Sequence, residues 1–128
     1  MSDPTVLVLD DDASVRQSLE TFLRRYGYRV VGVSSIEEAL RAVEAEPIEA
    51  LILDVRLEGL ETGIDLLADL RQRRGFDKAP VLILTGAVLS DAEEMAITRH
   101  RGFLFYKPEG LPSVISFLDT LTGRDQAH

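Results

Sequence analysis

The chain has 128 residues, enough for one domain that buries about two-thirds of its unfolded surface. It is 45% hydrophobic and 28% charged, ordinary for a globular protein, and its net charge of −8 argues against contact with a nucleic-acid backbone, which needs a basic face. It has no cysteine for a disulfide or thiolate metal site, no apolar stretch near the roughly 20 residues of a membrane span, and no secretory layout in residues 1–10, so no membrane partner and a cytoplasmic location are expected.

In chain order, the apolar run 5–9 predicts a short strand that runs into Asp10 and Asp11. Val15, Leu19, Phe22 and Tyr26 then recur at helical spacing. Arg24, Arg25 and Gly27 supply that helix's end, where cations complement the dipole and glycine takes a left-handed cap. A second strand is expected at 29–33. Ile36, Ala39, Leu40 and Val43 stripe a second helix, opened by Ser35 and Glu38 at capping-box spacing. The run 49–53 predicts a third strand ending at Asp54. Ile64, Leu67 and Leu70 stripe a third helix, and Arg71, Arg73 and Arg74 before Gly75 are expected to be its solvated end. The run 80–84 meets Thr85. Ser90 and Glu93 then open a fourth helix with a weak stripe around Met95 and Ala96. The run 102–106 meets Lys107 and Pro108, and Val114, Leu118 and Leu121 define a fifth helix, followed by a frayed tail at 123–128.

Short continuous apolar runs alternating with helices predict parallel strands covered on both faces. The expected fold is α/β, a doubly wound three-layer sandwich with right-handed crossovers. Spacing alone leaves the strand order open. Ligands bind such sheets beyond the carboxyl ends of the strands. Taken singly, each strand end has an ordinary explanation: an N-cap, a turn residue or a surface lysine. Taken together, three carboxylates, a hydroxyl and an ammonium are brought to one edge. Clustered carboxylates raise one another's pKa, a conflict that a divalent cation removes, and hard oxygen donors suit Mg²⁺. An aspartate can also act as nucleophile toward phosphorus, and phosphoryl transfer then needs charge neutralisation at the equatorial oxygens. Asp10, Asp11, Asp54, Thr85 and Lys107 supply those parts. Asp12 is expected to be the N-cap or a first-turn acid of the first helix. His100 and His128 suggest no site.

The segments VLVLDDD, LILD, VLILTG and YKP, in this order and spacing, resemble the response-regulator receiver domain, the phospho-acceptor module of two-component signalling. The resemblance covers about residues 4–122 of a single domain spanning 1–128. It implies a flavodoxin-like (βα)5 fold with strand order 2-1-3-4-5, for which a receiver is a standard example. It implies Asp54 as phospho-acceptor, and Mg²⁺ held by Asp10, Asp11, Asp54 and the backbone carbonyl of Arg56. Asp11 is expected to be the direct ligand and Asp10 to act partly through water. Thr85 and Lys107 would face the phosphoryl oxygens, with Pro108 in a cis bond aiming the lysine. The implied donor is a sensor histidine kinase or a histidine phosphotransfer protein. The implied output is a changed face around the fourth helix, fifth strand and fifth helix, read by a protein partner or a homodimer. Such a domain promotes its own phosphorylation and dephosphorylation and is not a turnover enzyme. With no output domain after residue 122, the signal is expected to pass through another protein, unless the chain is a receiver fragment of a longer regulator.

Three departures from the family pattern bear on mechanism. The usual D-x-x-M-P-x-x-x-G becomes Asp54-Val55-Arg56-Leu57-Glu58 without the proline, and Gly63 arrives one residue late, so a longer loop is expected. Leu104 stands where the family carries Tyr or Phe; Phe103, Phe105 and Tyr106 around it are expected to be packing residues. Arg56 is expected to pair with the phosphoryl oxygens and change the lifetime of the phosphorylated state. The rivals are a Mg²⁺-dependent aspartyl phosphatase, disfavoured because Arg56 replaces its second acid, a flavin binder, disfavoured by the lack of G-x-G-x-x-G and Trp, and a degenerate receiver, disfavoured because acceptor and lysine are present.

Overall fold

The computed structural model describes residues 3–57, 59, 61–107 and 111–122. Pro108 and the expected tail lie outside these residues. Within them the chain alternates β1 (Thr5–Leu9), α1 (Ala13–Arg25), β2 (Arg29–Val33), α2 (Ile36–Ala45), β3 (Ala50–Leu53), α3 (Gly63–Leu70), β4 (Val81–Thr85), α4 (Asp91–Arg99), β5 (Phe103–Tyr106) and α5 (Leu111–Thr122). All strand pairings are parallel, in the order β2-β1-β3-β4-β5, as the resemblance implied. The third, fourth and fifth strands begin one residue later than expected, within the usual fraying of element ends.

Strand alternation divides the core in two. Leu7, Leu9, Leu51, Leu53, Val81 and Ile83 face α2, α3 and α4, packing with Ala39, Leu66, Leu67, Leu70 and Ile97. Val6, Val8, Ala50, Ile52, Leu82 and Leu84 face the other way, onto Leu19 and Leu23 of α1 and Val114, Ile115 and Leu118 of α5. Both faces of β1, β3 and β4 are therefore dry, which is why these segments read as unbroken apolar runs.

Helix ends follow their local chemistry, with three corrections. Asp12 caps α1 as expected, its carboxylate accepting from the Val15 amide at 3.0 Å. Ser90 and Glu93 form the reciprocal box at α4, and Thr62 with Asp65 forms one at α3 that the sequence reading missed. At α2 the box is only half made. Ser35 accepts from the Glu38 amide, but the Glu38 carboxylate reaches back to Ser34. In α4 Ala96 packs half-buried against the core as expected, but the fully buried residue is Ile97, and Met95 is exposed. The third correction concerns Arg71. It is no solvated helix end: its guanidinium donates to the carbonyls of His100 (2.7 Å), Phe76 (2.9 Å), Ala79 (2.7 Å) and Arg101 (3.1 Å).

Candidate phospho-acceptor site

Register assembles the site. β1 and β3 are neighbours with Leu9 opposite Leu53, so Asp10 and Asp54 leave the sheet side by side. β4 and β5 are paired with Thr85 opposite Tyr106, which puts Lys107 one step beyond, its amide donating to the Thr85 carbonyl at 2.9 Å. Asp11 extends from β1 into the same space, and one carboxylate oxygen from each of Asp10, Asp11 and Asp54 lies within 4.8 Å of the other two. The ammonium of Lys107 reaches 2.8 Å from Asp10 Oδ2 and 3.6 Å from Asp54 Oδ2. The predicted acids and the lysine therefore converge, and Thr85 stands on the strand between them.

Each member is held in place. Asp10 is 3% exposed. Its Oδ1 accepts from the Asp12 amide at 3.0 Å, and its carbonyl accepts from Arg16 Nη1 at 2.8 Å. Arg16 is a supporting residue that sequence reasoning did not single out, because its partner is a main-chain atom. Thr85 is fully buried and its Oγ1 accepts from the Ala87 amide at 3.1 Å, which leaves the hydroxyl proton to be donated elsewhere. The Asp54 amide donates to the Leu9 carbonyl at 3.0 Å, locking Asp54 to β1. Behind Asp54, Gly63 opens α3 so closely that a β-carbon there would sit 2.0 Å from the Asp54 carbonyl oxygen. The late glycine thus packs tightly against the Asp54 peptide despite the altered loop.

Burial raises the Asp54 carboxyl above its ordinary 3.8, with the Asp10 charge adding to the effect; Lys107 and the amides of Val55 and Arg56 oppose it. A carboxyl that holds its proton more tightly folded than unfolded subtracts stability when ionised, and the penalty is relieved as pH falls through the raised value. Asp54→Asn is accordingly expected to raise the melting temperature by about 3 °C at pH 7. Scanning calorimetry should find that gain shrinking steadily as pH is lowered toward 3.8, the ordinary value for this carboxyl. A gain independent of pH would show that the charge is not its source.

Arg56 does not turn toward the carboxylates. Its Nη1 and Nη2 meet the two oxygens of Glu93 at 2.5 and 3.0 Å, and Nη2 lies 3.4 Å from the Val88 carbonyl. Arg56 holds the Glu93 carboxyl at a pKa of about 2. The pairing therefore contributes above the usual glutamate range and is lost only as pH falls through that low value. Glu93 was foreseen as a capping residue alone. The aromatics of β5 also divide. Phe103, itself partly open to solvent, and Phe105 pack on Phe117, with ring centroids 4.5 and 5.5 Å apart, whereas the exposed Tyr106 has no such ring contact among the described residues and its hydroxyl donates to Glu94 at 3.2 Å. Tyr106 is therefore a surface tether, in contrast to the packing role expected of it.

The carboxylate cluster fits a divalent cation: three hard oxygen donors lie within reach of one another, and one of the acids is nearly sealed from water. No helix among the described residues is long and apolar enough to cross a membrane.

The family model described as "Response regulator receiver domain" matches residues 6–116. Transcriptional regulatory protein KdpE of Mycobacterium tuberculosis is 32% identical over 95% of this chain and 52% of its own length. Alkaline phosphatase synthesis transcriptional regulatory protein PhoP of Bacillus subtilis is 40% identical over 62% of this chain and 32% of its own length. The chain thus spans about half or less of these curated relatives. A putative response regulator from Chloroflexus aurantiacus superposes with a TM-score of 0.84 at 31% identity, covering 96% of this chain and 100% of that one. Members of this family are phospho-acceptor switches that work with histidine kinases or histidine phosphotransfer proteins, and they do not turn over a separate substrate. The matched span runs from β1 into α5 and takes in every strand-end residue described above, and the chain belongs to the response-regulator receiver family.

Proposed function

We propose that Asp54 accepts a phosphoryl group from a sensor histidine kinase or a histidine phosphotransfer protein, with Mg²⁺ held by Asp10, Asp11, Asp54 and the Arg56 carbonyl. The single observation that carries this reading is the meeting of three carboxylates within 4.8 Å with a lysine ammonium 3.6 Å from the acceptor. An Asp54 oxygen attacks phosphorus in line, the new O–P bond forming as the N–P bond of the donor phosphohistidine breaks and the imidazole leaves with the electron pair. Lys107 moves its charge from Asp10 toward a phosphoryl oxygen, Thr85 donates its hydroxyl proton to another, and the main-chain amides beside Asp54 assist. Mg²⁺, when bound, neutralises a phosphoryl oxygen and the mutual repulsion of the acids.

The phosphorylated state shifts an existing equilibrium in the face formed by α4, β5 and α5, which a protein partner or a second copy reads. The single receiver, with a core at about 4–122, acts in the cytoplasm. A second reading has the receiver acting on a further domain of a longer regulator, and the partial coverage of KdpE and PhoP favours it.

Incubation with acetyl phosphate and Mg²⁺, followed by intact mass measurement, tests the acceptor. The expected result is a single phosphoryl adduct that requires Mg²⁺ and is absent from Asp54→Asn. An adduct that persists in that variant would falsify the assignment.

A further inference from the structure

We propose that the Arg56–Glu93 pair is a latch between the acceptor loop and α4, which phosphorylation opens by drawing the Arg56 guanidinium from Glu93 to the phosphoryl group. The proposal rests on the acceptor role of Asp54 and extends it to the route by which the message leaves the site.

Arg56 is the second residue after Asp54, while Glu93 lies 37 residues away in the first turn of α4. The guanidinium engages both carboxylate oxygens, the bidentate geometry that favours arginine over lysine. The same carboxylate closes the α4 capping box, accepting from the Ser90 amide at 2.9 Å. One side chain therefore caps the helix and ties it to the acceptor loop. The adjacent Glu94 accepts from Tyr106 of β5. The first turn of α4 is thus fastened to the acceptor loop on one side and to the edge strand on the other.

The pair is poised to exchange. The Arg56 side chain is half exposed, so water and salt screen the pair and compete for the guanidinium. The guanidinium already feels the charge of Asp54. Phosphorylation changes that carboxylate from one negative charge to a group of about −2 with three strong acceptor oxygens. The phosphoryl group then offers Arg56 a more highly charged partner than Glu93. Because coupling is reciprocal, the latch must also oppose phosphorylation to the extent that phosphorylation opens it.

Hydrogen exchange of the α4 first turn, followed beside adduct formation with acetyl phosphate and Mg²⁺, tests the latch. In the wild type, exchange across Asp91–Glu94 should rise severalfold as the adduct forms. Glu93→Gln keeps a side-chain acceptor for the Ser90 amide but loses the charge pair. It should show raised loop and first-turn exchange before any phosphodonor is added, and it should take up the phosphoryl group about threefold faster, as reciprocity requires. Arg56→Ala, measured without phosphodonor, should match the exchange of Glu93→Gln. Wild-type adduct formation with unchanged exchange at α4 overturns the latch alone. So does a Glu93→Gln protein that matches the wild type in both readouts. Absence of any adduct in the wild type overturns the acceptor assignment itself, and the latch with it.

Discussion

Gly63→Ala is expected to destabilise the fold by about 2–3 kcal/mol, the range for forcing an extra methyl into a packed site. The cause is steric. Gly63 is not among the positive-φ glycines, so its backbone suits any residue, but its missing β-carbon leaves room for the Asp54 carbonyl. An added methyl would meet that oxygen at 2.0 Å, and the obstacle is main chain, which cannot swing aside as a flexible side chain does. Either α3 backs away from β3, opening the core around Leu66 and Leu67, or the Asp54 peptide is displaced. Urea unfolding would report the first as a lowered midpoint, and slower adduct formation by the surviving folded protein would report the second. Gly32→Ala is the control. There the nearest atoms belong to the Glu20 side chain, which can move, so a much smaller loss is expected.

Arg71→Ala should cost about 2–4 kcal/mol, a large share of the 5–15 kcal/mol that holds a domain together. Its guanidinium satisfies four carbonyls from the α3–β4 connection and the α4–β5 turn, two segments also joined by the Arg101 guanidinium, which donates to the Asp77 carbonyl at 2.8 Å. Burial, together with the neighbouring Arg101, lowers the Arg71 pKa. Truncation would strand those carbonyls with only part of their hydrogen bonding replaced by water. Arg71→Lys should recover less than half of the loss, since an ammonium cannot span a fan of acceptors. Chemical denaturation with an unchanged m-value would establish that the native state is affected. Equal stability of Arg71→Lys and wild type would show that charge, not the fork of donors, is what matters there.

Much of this was legible in the chain because strand and helix periods are local signals. The runs at β1, β3 and β4 stand out since both faces of each strand are buried. The acids and the lysine were legible as a set because parallel strands bring their carboxyl ends to one edge, so residues far apart in sequence share a destination. The order of the strands was not in the spacing; it came with the resemblance. What stayed hidden depends on where long side chains end. Arg71 follows a helix like any solvated cation, and only the approach of residues 76, 79, 100 and 101 makes it a clasp. Arg56 and Glu93 each had a local explanation, one in a loop and one in a cap. The Thr62 box was missed because its third residue is Asp65, where the usual pattern has Glu or Gln.

The contact between Lys107 and Asp10 spans 97 residues, and it bears on the order in which the chain can fold. β1 and β3 can pair as soon as residue 53 is available, and their pairing brings Asp10 and Asp54 together before the cation that offsets them exists in the growing chain. Closing so long a loop is entropically slow, so the lysine arrives last. A chain that has docked only its first four strands therefore carries an unrelieved cluster of negative charge at the carboxyl ends of β1 and β3. Arrival of β5 both completes the sheet and discharges that repulsion, which makes the charge balance among these side chains a property of the finished fold alone.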